Sequence, residues 1–480
     1  MKIKKISNMP LPLKASFWFV VCSVIQKCIT FITTPIFTRL LSTEDFGLIS
    51  LFSSWQSILT VFFTLDLFGG VYNKAMIVYE DDKDGYTSST LFLTTIICGV
   101  FFGIYLPFHN VINGLLGLGT PFIILMFLNI TGNCGILFWT GRCRFDYRYK
   151  SIVILTLSSL VLSTAVSILL VLSVDENKAL YRVIGMVIPP MAINLWCYIQ
   201  LLRKGKKLIN IAYWKYAVSY NLPLIPHYLS MQILNQSDRI MINTYCGSAY
   251  AGIYSVAYQL SFALNMFTNA IHASYAPWSY RKLKEGDFPE IKTITNAVLV
   301  SLLAGCLVLS LFAPELIYIL GGVNYAEAIW IVPPVAMSVF FNMSYNLIGV
   351  VAMYHEKTRF IMVGSLLAAG SNLILNRIFI PRFGFVAAGY TTMACYLIYF
   401  VAHYCYLCII CRKTQIEIPF DKRLLFFASV LALGATVVCS VLYLNMGIRY
   451  ITIVILMAIC GYALYKNRQL LNKIITLNKN

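Results

Sequence analysis

Apolar runs of about twenty residues alternate with short polar stretches along nearly the whole chain, a pattern that predicts membrane helices. Fourteen runs fall near residues 15–38, 48–70, 90–108, 119–140, 151–172, 181–202, 216–240, 249–278, 293–312, 328–352, 360–380, 385–410, 424–444 and 448–465. Each suits a hydrocarbon core of roughly 30 Å. The cations lie between the runs and alternate with them. With the N-terminus inside, 29 of the 37 lysines and arginines collect on the cytoplasmic side, from Lys2, Lys4, Lys5 and Lys14 through Arg142, Arg144, Arg148 and Lys150 to Lys466, Arg468, Lys473 and Lys479. The other side holds seven: Arg39, Lys178, Arg182, Arg239, Arg377, Arg382 and Arg449. Only Lys27 lies deep in a run. Cationic loops resist translocation, so both termini are expected in the cytoplasm.

Composition agrees. Hydrophobic residues make up 59% of the 480, charged residues 12%, and the mean hydropathy is +0.75. A soluble domain does not bury that much apolar surface. The net charge of +18 belongs to loops that face anionic head groups; membrane lipids are expected partners and nucleic acid is not. No cleavable signal peptide is expected, because the first apolar run is long and no small-residue cleavage site follows. Cys22, Cys28, Cys98 and Cys306 sit inside apolar runs and read as small hydrophobes. Cys405, Cys408 and Cys411 have cluster-ligand spacing but lie on one face of a lipid-embedded run with no fourth ligand near, so no metal site is expected.

Span 7 starts on the same side as span 1, so a duplication of six spans gives parallel halves. Phe46-Gly47-Leu48-Ile49-Ser50 and Ala251-Gly252-Ile253-Tyr254-Ser255 place Gly and Ser 205 positions apart. In span 1, Ser23, Lys27, Thr30, Thr34 and Thr38 share one helix face; the offset carries them to Tyr228, Gln232, Asn235, Arg239 and Asn243. In span 2, Ser50, Ser53, Ser57, Thr60 and Thr64 map to Ser255, Tyr258, Phe262, Asn265 and Asn269. Nine of these ten partners carry a polar group. Two readings compete. Serine and threonine stripes serve as packing seams whose hydroxyls bond back to the backbone. Lys27, Gln232, Asn235, Arg239 and Asn265 are too large for a close seam and favour a water-filled cavity. A cation at mid-membrane costs roughly 2.5–3.5 kcal/mol on insertion scales and needs water or an anion. The alternative for Asp238 is an ion pair with Arg239 or a neighbour, although adjacent residues point about 100° apart on a helix.

At these residues the chain resembles a known family. Ser371-Asn372-Leu373-Ile374-Leu375-Asn376, then Ile380-Pro381-Arg382-Phe383-Gly384 and Ala387-Ala388-Gly389, look like the junction of helices 11 and 12 in bacterial polysaccharide and O-antigen flippases. These belong to the multidrug/oligosaccharidyl-lipid/polysaccharide exporter superfamily. Pro35-Ile36-Phe37-Thr38-Arg39-Leu40-Leu41, Asn221-Leu222-Pro223-Leu224-Ile225-Pro226, Asp238-Arg239 and Ala276-Pro277-Trp278 are similar too, so the likeness runs over roughly residues 12–411. It implies an all-α polytopic membrane protein of about 14 transmembrane helices. Two parallel six-helix lobes would form a V around a central cavity, with two further C-terminal helices.

The expected domains are 1–204 (spans 1–6), an interfacial cytoplasmic linker 205–215, 216–411 (spans 7–12), and 412–480 with spans 13 and 14 and a cytoplasmic tail. The implied activity is export of an undecaprenyl-pyrophosphate-linked oligosaccharide for O-antigen, capsule or exopolysaccharide across the bacterial inner membrane. A polysaccharide polymerase and chain-length machinery are the implied partners. Lys27 and Arg239 match the cations that engage the lipid's anionic head, with Thr30, Thr34, Gln232, Asn235, Asn265 and Asn269 lining the cavity. Asp66 and Asp238 are candidate coupling carboxylates for H+ or Na+; no other cofactor is implied.

Three rivals stand beside this reading. A polytopic glycosyltransferase or polymerase finds support in Asp82-Lys83-Asp84, the D-x-D form of a metal–nucleotide-sugar site, but the motif lies in an acidic turn with no nucleotide-binding domain. A cation-coupled multidrug exporter of the same superfamily favours acidic cavity residues, which these stripes lack. A lipid II flippase differs only in the attached sugar. No Walker-type loop is present, so an ATP-driven enzyme is not expected.

Overall fold

The structure is a computed structural model describing residues 11–356 and 358–466, without the side chains of 12–13, 262, 358–362 and 464. Lys2, Lys4, Lys5, Lys357, Arg468, Lys473 and Lys479 of the cationic set therefore lie outside the described residues, as do the side chains of Arg359 and Phe262. The described residues form helices and no strands. In chain order these are α1 (Leu11–Leu40), α2 (Thr43–Thr64), α3 (Gly70–Val78), α4 (Lys83–Leu116), α5 (Thr120–Phe145), α6 (Tyr149–Leu172), α7 (Lys178–Gly205), α8 (Ile211–Asn221) and α9 (Ile225–Cys246). Then follow α10 (Ser248–Glu285), α11 (Phe288–Leu311), α12 (Ala313–Gly321), α13 (Val332–Tyr354), α14 (Thr358–Phe383), α15 (Ala387–Thr414), α16 (Lys422–Leu442) and α17 (Met446–Lys466).

Twelve of these helices are long and apolar enough to cross a membrane. The two other long helices are α9 and α10, of 22 and 38 residues. They are the pair onto which the repeat projects polar stripes, and those stripes lower their hydropathy. They stand where the seventh and eighth expected spans fall but are less apolar than the other twelve, so twelve of the fourteen expected spans qualify by length and hydropathy, and the chain is an all-α, multi-pass membrane protein.

The repeat is visible in the helix starts. Thr43 and Ser248, the first residues of α2 and α10, stand 205 positions apart. The counterpart of the unbroken 30-residue α1 is interrupted: α8, a 3-10 turn at Leu222–Leu224, then α9. Pro223 and Pro226 at this junction lack the amide donors a continuous helix uses.

Two compact units emerge, 1–236 and 237–480, and they divide within α9. The first therefore extends beyond the expected linker 205–215. Asn210 caps α8 by accepting from the amides of Ala212 and Tyr213 at 3.0 and 3.2 Å, so helix begins inside that linker. The α8 helix then docks on the 79–89 segment. Tyr213 donates to Asp82 at 2.5 Å, and the Trp214 indole donates to Ser89 Oγ at 2.9 Å. The connection 71–89 is not a plain loop either. Leu67, Val71, Tyr72, Ala75 and Met76 are fully buried in the core of this unit with Phe138 and Ala217, which makes α3 a core helix.

The D-x-D motif is taken apart by these contacts. Asp82 caps α4 through the Gly85 amide at 3.2 Å and meets Lys207 at 2.6 Å, whereas Asp84 accepts from Arg142 at 2.7 Å. Its two carboxylates thus serve different partners.

The second unit carries α16 and α17 as part of itself. Tyr443 donates to the Ser310 carbonyl at 2.5 Å. Arg449, 4% exposed, pairs with Glu315, which also accepts from Tyr450 at 2.7 Å.

Candidate functional site

In the first unit the hydroxyls of the polar stripes turn back on their own helices. On α1, Ser23, Thr30, Thr34 and Thr38 donate to the carbonyls of Phe19, Gln26, Thr30 and Thr34 at 2.9–3.1 Å. On α2, Ser53, Ser57, Thr60 and Thr64 do the same at 2.6–2.9 Å. This is the packing-seam arrangement, and it satisfies each hydroxyl without water. Ser23, Lys27 and Thr30 are exposed, while Thr34 and Thr38 are buried. Gln232 and Asn235, on the part of α9 in this unit, are half-buried; Asn235 donates to the Met231 carbonyl at 2.8 Å.

A chain of amides crosses this unit that the stripes did not reveal. Asn194 on α7 donates to Asn133, Asn133 to Asn129 on α5, and Asn129 to Gln56 on α2, at 2.9, 3.0 and 2.9 Å. Its members lie up to 138 positions apart and face different neighbours, so no single-helix periodicity marks them.

Asp66 occupies a tight turn. The second span ends at Thr64 rather than at residue 70, because Leu65 and Asp66 both adopt left-handed backbone, φ 47° and 48°. Each such residue costs of order 1–3 kcal/mol and needs support. Asn221 supplies it, donating to the carbonyls of Leu65 and Asp66 at 2.9 and 2.7 Å and accepting from the Val71 amide at 3.3 Å. Gly69 and Gly70 let the chain pass closely here: a Cβ on Gly69 would meet the Asp66 carboxylate at 2.4 Å and one on Gly70 the Tyr228 hydroxyl at 2.5 Å, so either side chain would have to shift. In this turn, beyond the end of α2, burial raises the Asp66 carboxyl to about 6.

The second unit centres on Asp238, which is fully buried. Its Oδ1 accepts from Asn376 at 2.7 Å and Asn372 at 3.2 Å; its Oδ2 accepts from Tyr254 and Thr392, both at 2.6 Å. A further layer orients these donors. Ser237 donates to Asn372 Oδ1 at 2.6 Å, as does Asn376 at 3.1 Å, and Thr391 donates to Asn376 Oδ1. Four neutral donors from α10, α14 and α15 thus hold Asp238, tying those helices together, and no ion pair of Asp238 is recorded among the described residues. Each hydrogen bond to a charged group contributes roughly 1.5–3 kcal/mol. Four of them are of the size needed to offset the several kcal/mol lost on desolvating a carboxylate.

Arg239 points elsewhere, as the angular spacing of a helix requires. It is 9% exposed, and its guanidinium lies 4.2 Å from the centre of the Tyr258 ring. Tyr258 and Asn265 also line a polar cavity of about 10 Å³ with Ser261, Ser338, Asn342 and Tyr396, room for about one water. Asn269, one turn further on α10, is exposed. The second unit thus brings Arg239 and Asn265 around Tyr258, with Asp238 one helix step away.

Residues 13–281, more than half of the chain, match the family model described as "Polysaccharide biosynthesis protein". The chain belongs to that family. It is 24% identical over 397 residues to an uncharacterized membrane protein of Haemophilus influenzae, spanning 77% of this chain and 92% of that protein. Its fold resembles that of the lipid II flippase MurJ in an inward closed conformation, with a TM-score of 0.69 at 15% identity over 94% of this chain and 99% of the other. It also resembles an inward-facing multidrug resistance MATE family transporter of the MOP superfamily, with a TM-score of 0.58 at 13% identity over 80% and 94%. These likenesses are of fold: the chain shares the helical architecture of MurJ and of the MATE transporter.

One prediction follows from the Asp238 network. Asp238→Ala leaves four buried donors without their acceptor and should cost roughly 3–5 kcal/mol, read as a fall of several degrees in the Tm of the detergent-solubilised protein. A Tm within a degree of the parent protein sinks the assignment of Asp238 as the organising acceptor.

Proposed function

We propose that this protein is a flippase, not an enzyme. It moves an undecaprenyl-pyrophosphate-linked oligosaccharide from the inner to the outer leaflet of a bacterial cytoplasmic membrane, for assembly of O-antigen, capsule or exopolysaccharide. The observation that carries the reading is membership of the polysaccharide biosynthesis family by a chain that is almost wholly membrane helix. The fold shared with a lipid II flippase supports a lipid-linked saccharide as the cargo class. The polysaccharide family favours a repeat unit over lipid II.

A pyrophosphate head demands cations, and the repeat-related stripes offer Lys27 and Arg239. Thr30, Thr34, Gln232, Asn235, Asn265 and Asn269 provide polar contacts along the same faces. Lobes 1–204 and 216–411, joined through 205–215, rock in alternating access around these stripes. A polymerase and chain-length machinery receive the product on the outer side. The orientation has both termini in the cytoplasm, supported by the 29-to-7 cation split.

The driving force is the membrane potential, an ion gradient, or both. Each negative charge moved outward gains about 2.3 kcal/mol per 100 mV. H+ or Na+ serves as the coupling ion at Asp66 or Asp238. Asp66 takes up a proton near pH 6. Asp238 is the second candidate, a buried carboxylate held by the amide nitrogens of Asn372 and Asn376 and the hydroxyls of Tyr254 and Thr392.

Three outcomes are expected. Lys27→Ala abolishes glycan export at normal protein abundance, while Lys27→Arg retains part of it because charge is what a phosphate needs; normal export by Lys27→Ala refutes the pyrophosphate contact. Cysteines placed at 113 and 323 react with an impermeant thiol reagent from outside above the background of native thiols, and cysteines at 145 and 286 do not; equal labelling at all four overturns the orientation. In proteoliposomes, flipping of a lipid-linked oligosaccharide responds to an imposed potential, a pH gradient or a sodium gradient. Indifference to all three, or an absolute need for ATP, removes the secondary-transporter reading.

A further inference from the structure

In the first unit the basic ends of α5 and α7 enclose a cavity of about 190 Å³. It lies apart from the polar stripes of α1 and α2. Three cations line it: Arg142, Arg148 and Lys204. The two lining carboxylates are already committed, since Arg142 binds Asp84 at 2.7 Å and Asp146 at 2.6 Å. Arg148 and Lys204 are exposed and make no ion pair among the described residues. The cavity therefore presents two uncommitted positive charges to whatever enters it.

Its opposite wall is aromatic. Trp139 and Trp196 meet edge to face, with ring centres 6.0 Å apart. Trp139 is buried, whereas Trp196 is 47% exposed, and Leu195 and Ile199 beside it on α7 are exposed as well. On a membrane helix this exposed apolar face meets acyl chains. Trp196 lies within roughly three turns of the end of α7 at Gly205, which is the depth where indole rings settle at the head-group boundary. Cations, an aromatic pair and an open apolar flank occur together here.

We propose that this cavity binds the phosphate head group of an anionic phospholipid, with the acyl chains lying along the Trp196 face of α7. The ligand belongs to the bilayer rather than to the transported cargo. A lysine and an arginine at an inter-helix pocket near the cytoplasmic face are suited to anionic head groups. The apolar flank distinguishes a lipid from a free anion, because only a lipid gains from contact with Trp196.

The test uses the full-length protein purified in neutral detergent and titrated with phosphatidylglycerol, phosphatidylethanolamine or inorganic phosphate, with bound lipid counted by native mass spectrometry. Phosphatidylglycerol should bind saturably and well ahead of phosphatidylethanolamine. Arg148→Gln combined with Lys204→Gln should weaken it about tenfold, and Trp196→Ala should weaken it severalfold. A control pair on another basic segment, Arg412→Gln with Lys413→Gln, should leave it unchanged. Equal binding by parent and double variant, equal loss in the control pair, or displacement of phosphatidylglycerol by millimolar inorganic phosphate each overturns the proposal. Arg148 and Lys204 are exposed, and an unchanged Tm without lipid verifies that the variants are folded.

Discussion

No polar group in a hydrocarbon layer can rely on solvent, so every one must find its partner within the protein. That constraint shapes each feature described above. It makes the described residues overwhelmingly helical, because helices satisfy their own backbone. It returns the stripe hydroxyls of α1 and α2 to the carbonyl one turn back. It threads amides from Gln56 to Asn194 across three helices. At Asp238 it recruits donors from α10, α14 and α15 to a single carboxylate. Since the small hydroxyls are internally satisfied, they create no demand for water.

The two halves began as copies and now solve the same problem differently. Where α2 stops at Thr64 in a strained left-handed turn, the equivalent α10 runs on to Glu285. Where α1 is continuous, its counterpart breaks at Pro223 and Pro226. The two divergences meet in the first unit, because Asn221, at the end of α8, is the residue that supports the Leu65–Asp66 turn. A break in one copy thus supplies the brace for a turn in the other. Loss of that brace is expected to release the Asp66 carboxylate from its buried setting.

Much of the fold was legible because hydrocarbon thickness imposes one length on every span. The helices least visible to hydropathy, α9 and α10, still read as apolar runs at 216–240 and 249–278, and the 205-residue offset then located their polar faces. What escaped was decided by tertiary contact. Nothing in the local pattern of residues 71–78 separates a loop from the buried helix α3. Asn372 and Asn376 stood out as family motif residues, yet their attachment to Asp238 joins positions more than 130 apart in sequence. The Asp82-Lys83-Asp84 motif carried the right residue types for a metal site; only its partners Lys207, Tyr213 and Arg142 show that it braces the fold.

Asp238 and Arg239 illustrate how adjacent opposite charges can hold separate duties. An ion pair between them would neutralise both. The roughly 100° step along α9 instead turns the carboxylate into a neutral donor network and the guanidinium onto Tyr258. Neutral donors stabilise the carboxylate without cancelling the charge of its neighbour. The same principle operates at the rim of α5 and α7. There Asp84 and Asp146 both spend their charge on Arg142, and Arg148 and Lys204 keep theirs.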